Sequence, residues 1–159
     1  ATRRVARAHP GVATGLLGAA LYGPNVPLMV GSMETPKVVG DNHIQPIDAL
    51  GLKVISVGFI NPGDRPLVWR GPMLHSIIRQ FLQQVDWGTL DYLIVDLTPG
   101  TGDIKRTPAQ TVPVTGAVLF PTPHEIAHID ARTVLQRVTE IRVHLAGVVA
   151  SRAIYHWYN

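Results

Sequence analysis

Five short, largely apolar runs, at residues 12–17, 52–59, 92–96, 116–120 and 145–150, punctuate the chain and lack the polar alternation of a half-exposed strand. Runs of that kind read as strands covered on both faces, which is the habit of a parallel sheet. Between them, residues 72–85 carry Leu74, Ile77, Ile78, Phe81, Leu82 and Val85 at helical spacing, with Arg79, Gln80, Gln83 and Gln84 on the other side. That is an amphipathic helix. Residues 124–138 repeat the pattern with Ile126, Ala127, Ile129, Val134 and Leu135, and Pro121 and Pro123 mark the start. A third, shorter helix is expected after Asp103, limited or kinked by Pro108. The stretches 23–50 and 60–72 are rich in Pro, Gly, Asn and Asp and read as long loops. The alternation predicts an α/β fold, a parallel sheet flanked by helices, in one domain over residues 1–159.

Composition narrows this picture. Hydrophobic residues make up 46% of the chain and charged residues 16%, a balance that excludes general disorder and supplies a buried core. There is no cysteine, so neither a disulfide nor a thiolate-held metal or cluster forms within these residues. No apolar run approaches the roughly 20 residues of a membrane-spanning helix, and the basic start runs into His9-Pro10 without the apolar core of a signal peptide. A cytoplasmic protein with no membrane contact is expected. The net charge is +3, but only Arg3, Arg4 and Arg7 cluster. The cluster reads as an exposed helical end, and no nucleic-acid footprint is expected from scattered basic residues.

Two local patterns carry candidate chemistry. Tyr92-Leu93-Ile94-Val95-Asp96 is a strand that ends in an acid, followed by the flexible run Thr98-Pro99-Gly100-Thr101-Gly102-Asp103. An acid at the carboxyl end of a parallel strand sits where α/β sheets bind ligands, and in nucleotide hydrolases it orients Mg²⁺ and its water. A strand closed by an Asp-capped turn has the same local sequence. The second pattern, His124-Glu125-Ile126-Ala127-His128, matches the helix on which two His bind Zn²⁺ and a Glu serves as base. Its first His directly follows Pro123, and Ala131 and Val134 stand where the extended motif needs Gly and His. His124 and His128 are therefore weak metal candidates, better read as surface residues of a first helical turn. No glycine loop with a lysine, GxxxxGK[ST] or otherwise, occurs in the chain.

A longer set of matches follows in order: Gly15-Leu16-Leu17, Tyr22-Gly23-Pro24-Asn25-Val26-Pro27, Gly51 through Phe59, Val68-Trp69-Arg70-Gly71-Pro72-Met73, Val85-Asp86-Trp87-Gly88, Leu90 through Asp96, Pro99-Gly100-Thr101-Gly102-Asp103-Ile104 and Ala109-Gln110-Thr111-Val112-Pro113. Over residues 5–149 the chain resembles the Mrp/ApbC/Nbp35 family of P-loop ATPases that carry iron–sulfur clusters. The resemblance implies a sheet of the deviant P-loop NTPase type, an ATP-bound homodimer with Mg²⁺, and delivery of clusters to client proteins. It makes Asp96 the acid near Mg²⁺, and Gly100, Thr101, Gly102 and Asp103 the switch that senses the γ-phosphate. It also implies that His124-Glu125-His128 is drift at surface positions rather than a zinc hydrolase site.

The departures from the family pattern are as informative. The family's first strand and lysine-bearing phosphate loop would precede residue 1, so the fold is expected to be truncated at its amino-terminal side and to lack an interior strand. Gly18 and Ala20 stand where the family has two aspartates, one of them in the switch that positions the attacking water. The family's Cys-x-x-Cys has no counterpart. The expected function is a cluster carrier or assembly ATPase domain, degenerate and inactive as a lone chain. The alternative is a non-enzymatic domain that forms a mixed dimer with an intact relative.

Overall fold

The computed structural model describes residues 11–19, 25–40, 42–60, 71–97, 106–120, 139 and 143–149. The chain divides into two compact units, Ala1–Thr111 and Val112–Asn159.

In the first unit the apolar runs become strands. β1 (Thr14–Gly18) lies between β5 (Leu52–Ser56) and β6 (Tyr92–Asp96), parallel to both, in register Leu16↔Val54 and Leu16↔Ile94. A short β4 (Ile47–Ala49) pairs antiparallel with the far side of β5, giving the order β4-β5-β1-β6. Being interior, β1 is buried at four of its five positions.

Both faces of this sheet have apolar cover, as the unbroken strand sequences predict. On one face, Leu52 and Val54 join Ile47, Val26 and Phe59, with Leu16, Val30 and Ala49 packed against them. Val26 comes from the short helix α1 (Asn25–Val30), and Phe59 from α2 (Val57–Ile60), a single helical turn that leaves β5 directly. The amphipathic helix α3 (Gly71–Gln84) buries Leu74, Ile78, Phe81 and Leu82. Beyond its end, Trp87 donates its indole N–H to the Phe81 carbonyl at 3.1 Å. A Cβ on Gly15 would meet that ring at 3.0 Å, so Trp87 ties the end of α3 to β1.

Two sequence expectations need correction. The segment 23–50 is not a plain loop: it contains α1, β4 and a small antiparallel pair, β2 (Val38–Val39) with β3 (His43–Ile44). These elements are too short to show a period, and β4 forms because Leu50 and Gly51, at φ 56° and 77°, make the two-residue turn that folds it onto β5. Nor does Pro108 set the limit of its helix, because α4 (Arg106–Thr111) runs past it and holds it within the first turn, where no intrahelical N–H donor is required. The expected helix over 124–138, the segment 61–70 and the basic start lie outside the described residues.

In the second unit, β7 (Ala117–Leu119) and β8 (Leu145–Val148) pair in parallel, with a register shift between Ala117 and Val118. Backbone bonds from Ala117 N–H to His144 O at 2.8 Å and from Val149 N–H to Leu119 O at 2.7 Å extend the pairing at both ends.

Candidate functional site

The carboxyl ends of β1, β5 and β6 bring Gly18, Ser56 and Asp96 together. Gly18 is the register partner of both Ser56 and Asp96, so all three belong to the same face of the sheet. The chain leaves β1 through Ala19, whose N–H donates to the Asp96 carbonyl at 3.0 Å. This bond holds the end of β1 against the end of β6. The Asp96 side chain is exposed, at the position where a parallel α/β sheet presents groups to a ligand.

Its neighbours leave little room and few free groups. Ser56 is buried, and its Oγ accepts the Gly58 N–H at 3.2 Å, capping the turn α2. A Cβ on Gly18 would lie 2.8 Å from Val26 Cγ2 and 2.9 Å from Ser56 Oγ. The Val26 and Ser56 side chains have closed over the position at which a carboxylate is expected from the resemblance. Of the acids in that pattern, the described residues thus supply Asp96 alone. One exposed carboxylate can attract a cation or orient a water, but phosphoryl transfer needs several charges placed together. These residues do not fit a complete Mg²⁺–nucleotide site.

Of the other residues singled out in the sequence, Ala20, Gly100, Thr101, Gly102, Asp103, His124, Glu125 and His128 lie outside the described residues. Among the described residues no group of three or more His, Asp or Glu side chains is placed to hold a metal ion, and no helix is long and apolar enough to cross a membrane. Sequence reasoning missed the roles of Ser56 and Val26, because nothing local distinguishes a capping serine or a core valine from its neighbours. It also missed the hydrogen bond between His75 Nδ1 and the buried Thr107 Oγ1, which joins α3 to α4. Thr111 Oγ1 donates to the Thr107 carbonyl at 2.7 Å, so this cluster serves helix packing.

Comparison with known proteins gives a consistent picture. The family model of the ParA type described as NUBPL iron-transfer P-loop NTPase matches residues 3–157. An iron–sulfur cluster carrier protein of Synechocystis is 44% identical over 155 residues, covering 95% of this chain and 44% of the relative. The mouse iron–sulfur cluster transfer protein NUBPL is 39% identical over 143 residues, covering 90% of this chain and 45% of the relative. Among solved structures, a nucleotide-binding protein of Archaeoglobus fulgidus in complex with ADP aligns at a TM-score of 0.74 with 30% identity, over 94% of this chain and 57% of that one. The chain therefore spans less than half the length of these two carrier relatives.

Proposed function

The chain belongs to the NUBPL iron-transfer P-loop NTPase family, and from that premise we propose that it forms part of a system that carries iron–sulfur clusters to client proteins. The observation that carries the proposal is the continuous family match over residues 3–157, joined to the agreement of relatives that are themselves named cluster carriers. The cluster is cargo. With no cysteine in these 159 residues, the thiolates that hold it come from elsewhere.

In this reading Asp96 is the retained acid of a nucleotide site, with Gly100, Thr101, Gly102 and Asp103 as the following switch. ATP with Mg²⁺ is the ligand that the family resemblance implies, and the phosphate-cradling lysine loop is not among these 159 residues. Among the described residues the site offers one carboxylate at the sheet's carboxyl edge, that of Asp96, whose strand end is fixed by the Ala19–Asp96 backbone bond. A homodimer, or a mixed dimer with an intact relative, belongs to the same proposal. So does a cytoplasmic location, which suits a cysteine-free composition.

A second reading is favoured by the closure around Gly18: a non-enzymatic domain that pairs with an intact relative. Two measurements separate the readings. Titration calorimetry follows Mg-ATP binding to the chain alone and to the chain joined to the strand and glycine–lysine loop of a cluster-carrier relative. A pull-down then tests whether the chain alone captures that intact relative. Gain of micromolar nucleotide binding on joining supports the ATPase-domain reading. Capture without any such gain supports the interaction domain, and failure of both overturns the two together.

A further inference from the structure

We propose that His75 is a positioning residue for the nucleotide site read at Asp96: its bond to Thr107 seats α4 on α3 and so fixes where the chain arrives from segment 98–105. This role rests on the reading of Asp96 and residues 100–103 as that site. The segment joins the end of β6 to the start of α4. Its near end is held by the Ala19 N–H, which donates to the Asp96 carbonyl at 3.0 Å. Its far end is held only as firmly as α4 is, and fixing both ends restricts the conformations open to the chain between them.

Helix α4 does not hold its own place. Its six residues fall well short of the roughly 12–15 at which an isolated helix becomes even marginally stable, so its position comes from α3, on which it packs. Thr107 and Pro108 are buried. Thr107 is 2% exposed, and a hydroxyl buried that deeply is costly unless it is hydrogen-bonded. The half-buried ring of His75, next to the fully buried Leu74 on α3, supplies the partner through Nδ1. The Thr111 hydroxyl donates to the Thr107 carbonyl at 2.7 Å, so the backbone of Thr107 is tied within α4 while its side chain is tied to α3. Among the described residues, the His75–Thr107 pair is the side-chain hydrogen bond that joins the two helices.

Imidazole suits this contact for a geometric reason. Nδ1 is bonded directly to Cγ, so it meets a hydroxyl close to the helix surface. The nitrogen either accepts the Thr107 O–H or donates to its oxygen, since a threonine hydroxyl takes either role. The fold of α3 does not call for histidine here: its buried stripe is complete in Leu74, Ile78, Phe81 and Leu82. The tie to α4 is what position 75 adds.

Hydrogen exchange on the full chain tests the tie, and nucleotide binding tests its consequence. His75→Ala is expected to speed exchange of the α4 amides about tenfold, because an unpaired buried hydroxyl favours local opening, while the β1 amides keep the parent rate. His75→Phe keeps a ring and loses the nitrogen, and is expected to match His75→Ala. His75→Asn carries its amide atoms at the same number of bonds from the backbone as Nδ1, and is expected to return within about threefold of the parent. In the chain joined to the strand and glycine–lysine loop of a cluster-carrier relative, His75→Ala is expected to weaken Mg-ATP binding about tenfold and His75→Asn to recover it. Exchange that rises equally in β1 and α4, or a Phe variant that holds α4 as the parent does, shows bulk packing and overturns the proposal. So does an unchanged nucleotide affinity in the joined His75→Ala variant. A joined parent that binds no Mg-ATP overturns the site reading and the role of His75 in it; exchange in the chain alone distinguishes that failure from the absence of the tie.

Discussion

Substituting Gly18 by alanine tests whether the carboxyl end of the sheet is closed as described. The added Cβ would stand 2.8 Å from Val26 Cγ2, 2.9 Å from Ser56 Oγ and 3.2 Å from Ser56 Cβ, all shorter than ordinary van der Waals contact. Val26 is β-branched and sits in the helix α1, so it has one favoured rotamer and cannot swing aside. Ser56 can rotate its hydroxyl, but only by giving up the Gly58 N–H. Overpacking of this kind costs about 1–3 kcal/mol, loss of the cap adds about 1 kcal/mol, and the reduced freedom of the unfolded chain returns about 0.4–1 kcal/mol. The expected net loss is about 2 kcal/mol, which moves a urea midpoint by about 1 M at a slope of about 2 kcal/mol/M. Urea titration followed by far-UV circular dichroism reads this directly. The double variant Gly18→Ala with Ser56→Gly removes two of the three clashes, and the double-mutant cycle is expected to show a favourable coupling of about 1 kcal/mol. A Gly18→Ala midpoint within about 0.2 M of the parent, or a coupling of zero, would refute the packing argument. It would also reopen position 18 as a place where a carboxylate fits.

Other outcomes follow from the same structure. Trp87→Phe removes the indole N–H that the Phe81 carbonyl accepts, and is expected to cost about 1–2 kcal/mol in a urea titration, since a buried acceptor loses its partner. The chain alone is expected to bind Mg-ATP weakly and to hydrolyse it no faster than a buffer blank, because a single carboxylate does not place the charges that phosphoryl transfer requires; calorimetry showing micromolar affinity would contradict this. Reconstitution of the pure chain with iron and sulfide is expected to leave no protein-bound cluster absorbance, since it contributes no thiolate, and a stable brown product would count against the ligand assignment.

The periodicity of the chain by itself determined the class of the fold. The parallel strands, the helix α3 and an acid at a strand's carboxyl end were all legible, because burial on both faces of a strand or on one side of a helix is written in consecutive residues. The ordered family motifs were legible for a similar reason: each is a contiguous run. The tertiary structure decided what contiguous reading cannot reach. Strand order, with β1 between β5 and β6, is a matter of which elements meet, and each strand's composition is compatible with several neighbours. The elements within 23–50 are two to six residues long, and β4 exists only because β5 lies beside it to accept its hydrogen bonds. The closure at Gly18 depends on Val26 and Ser56, which arrive from a different helix and a different strand. Glycine at that position announces a missing side chain; that its place has been taken is settled by packing, which joins residues the sequence keeps apart.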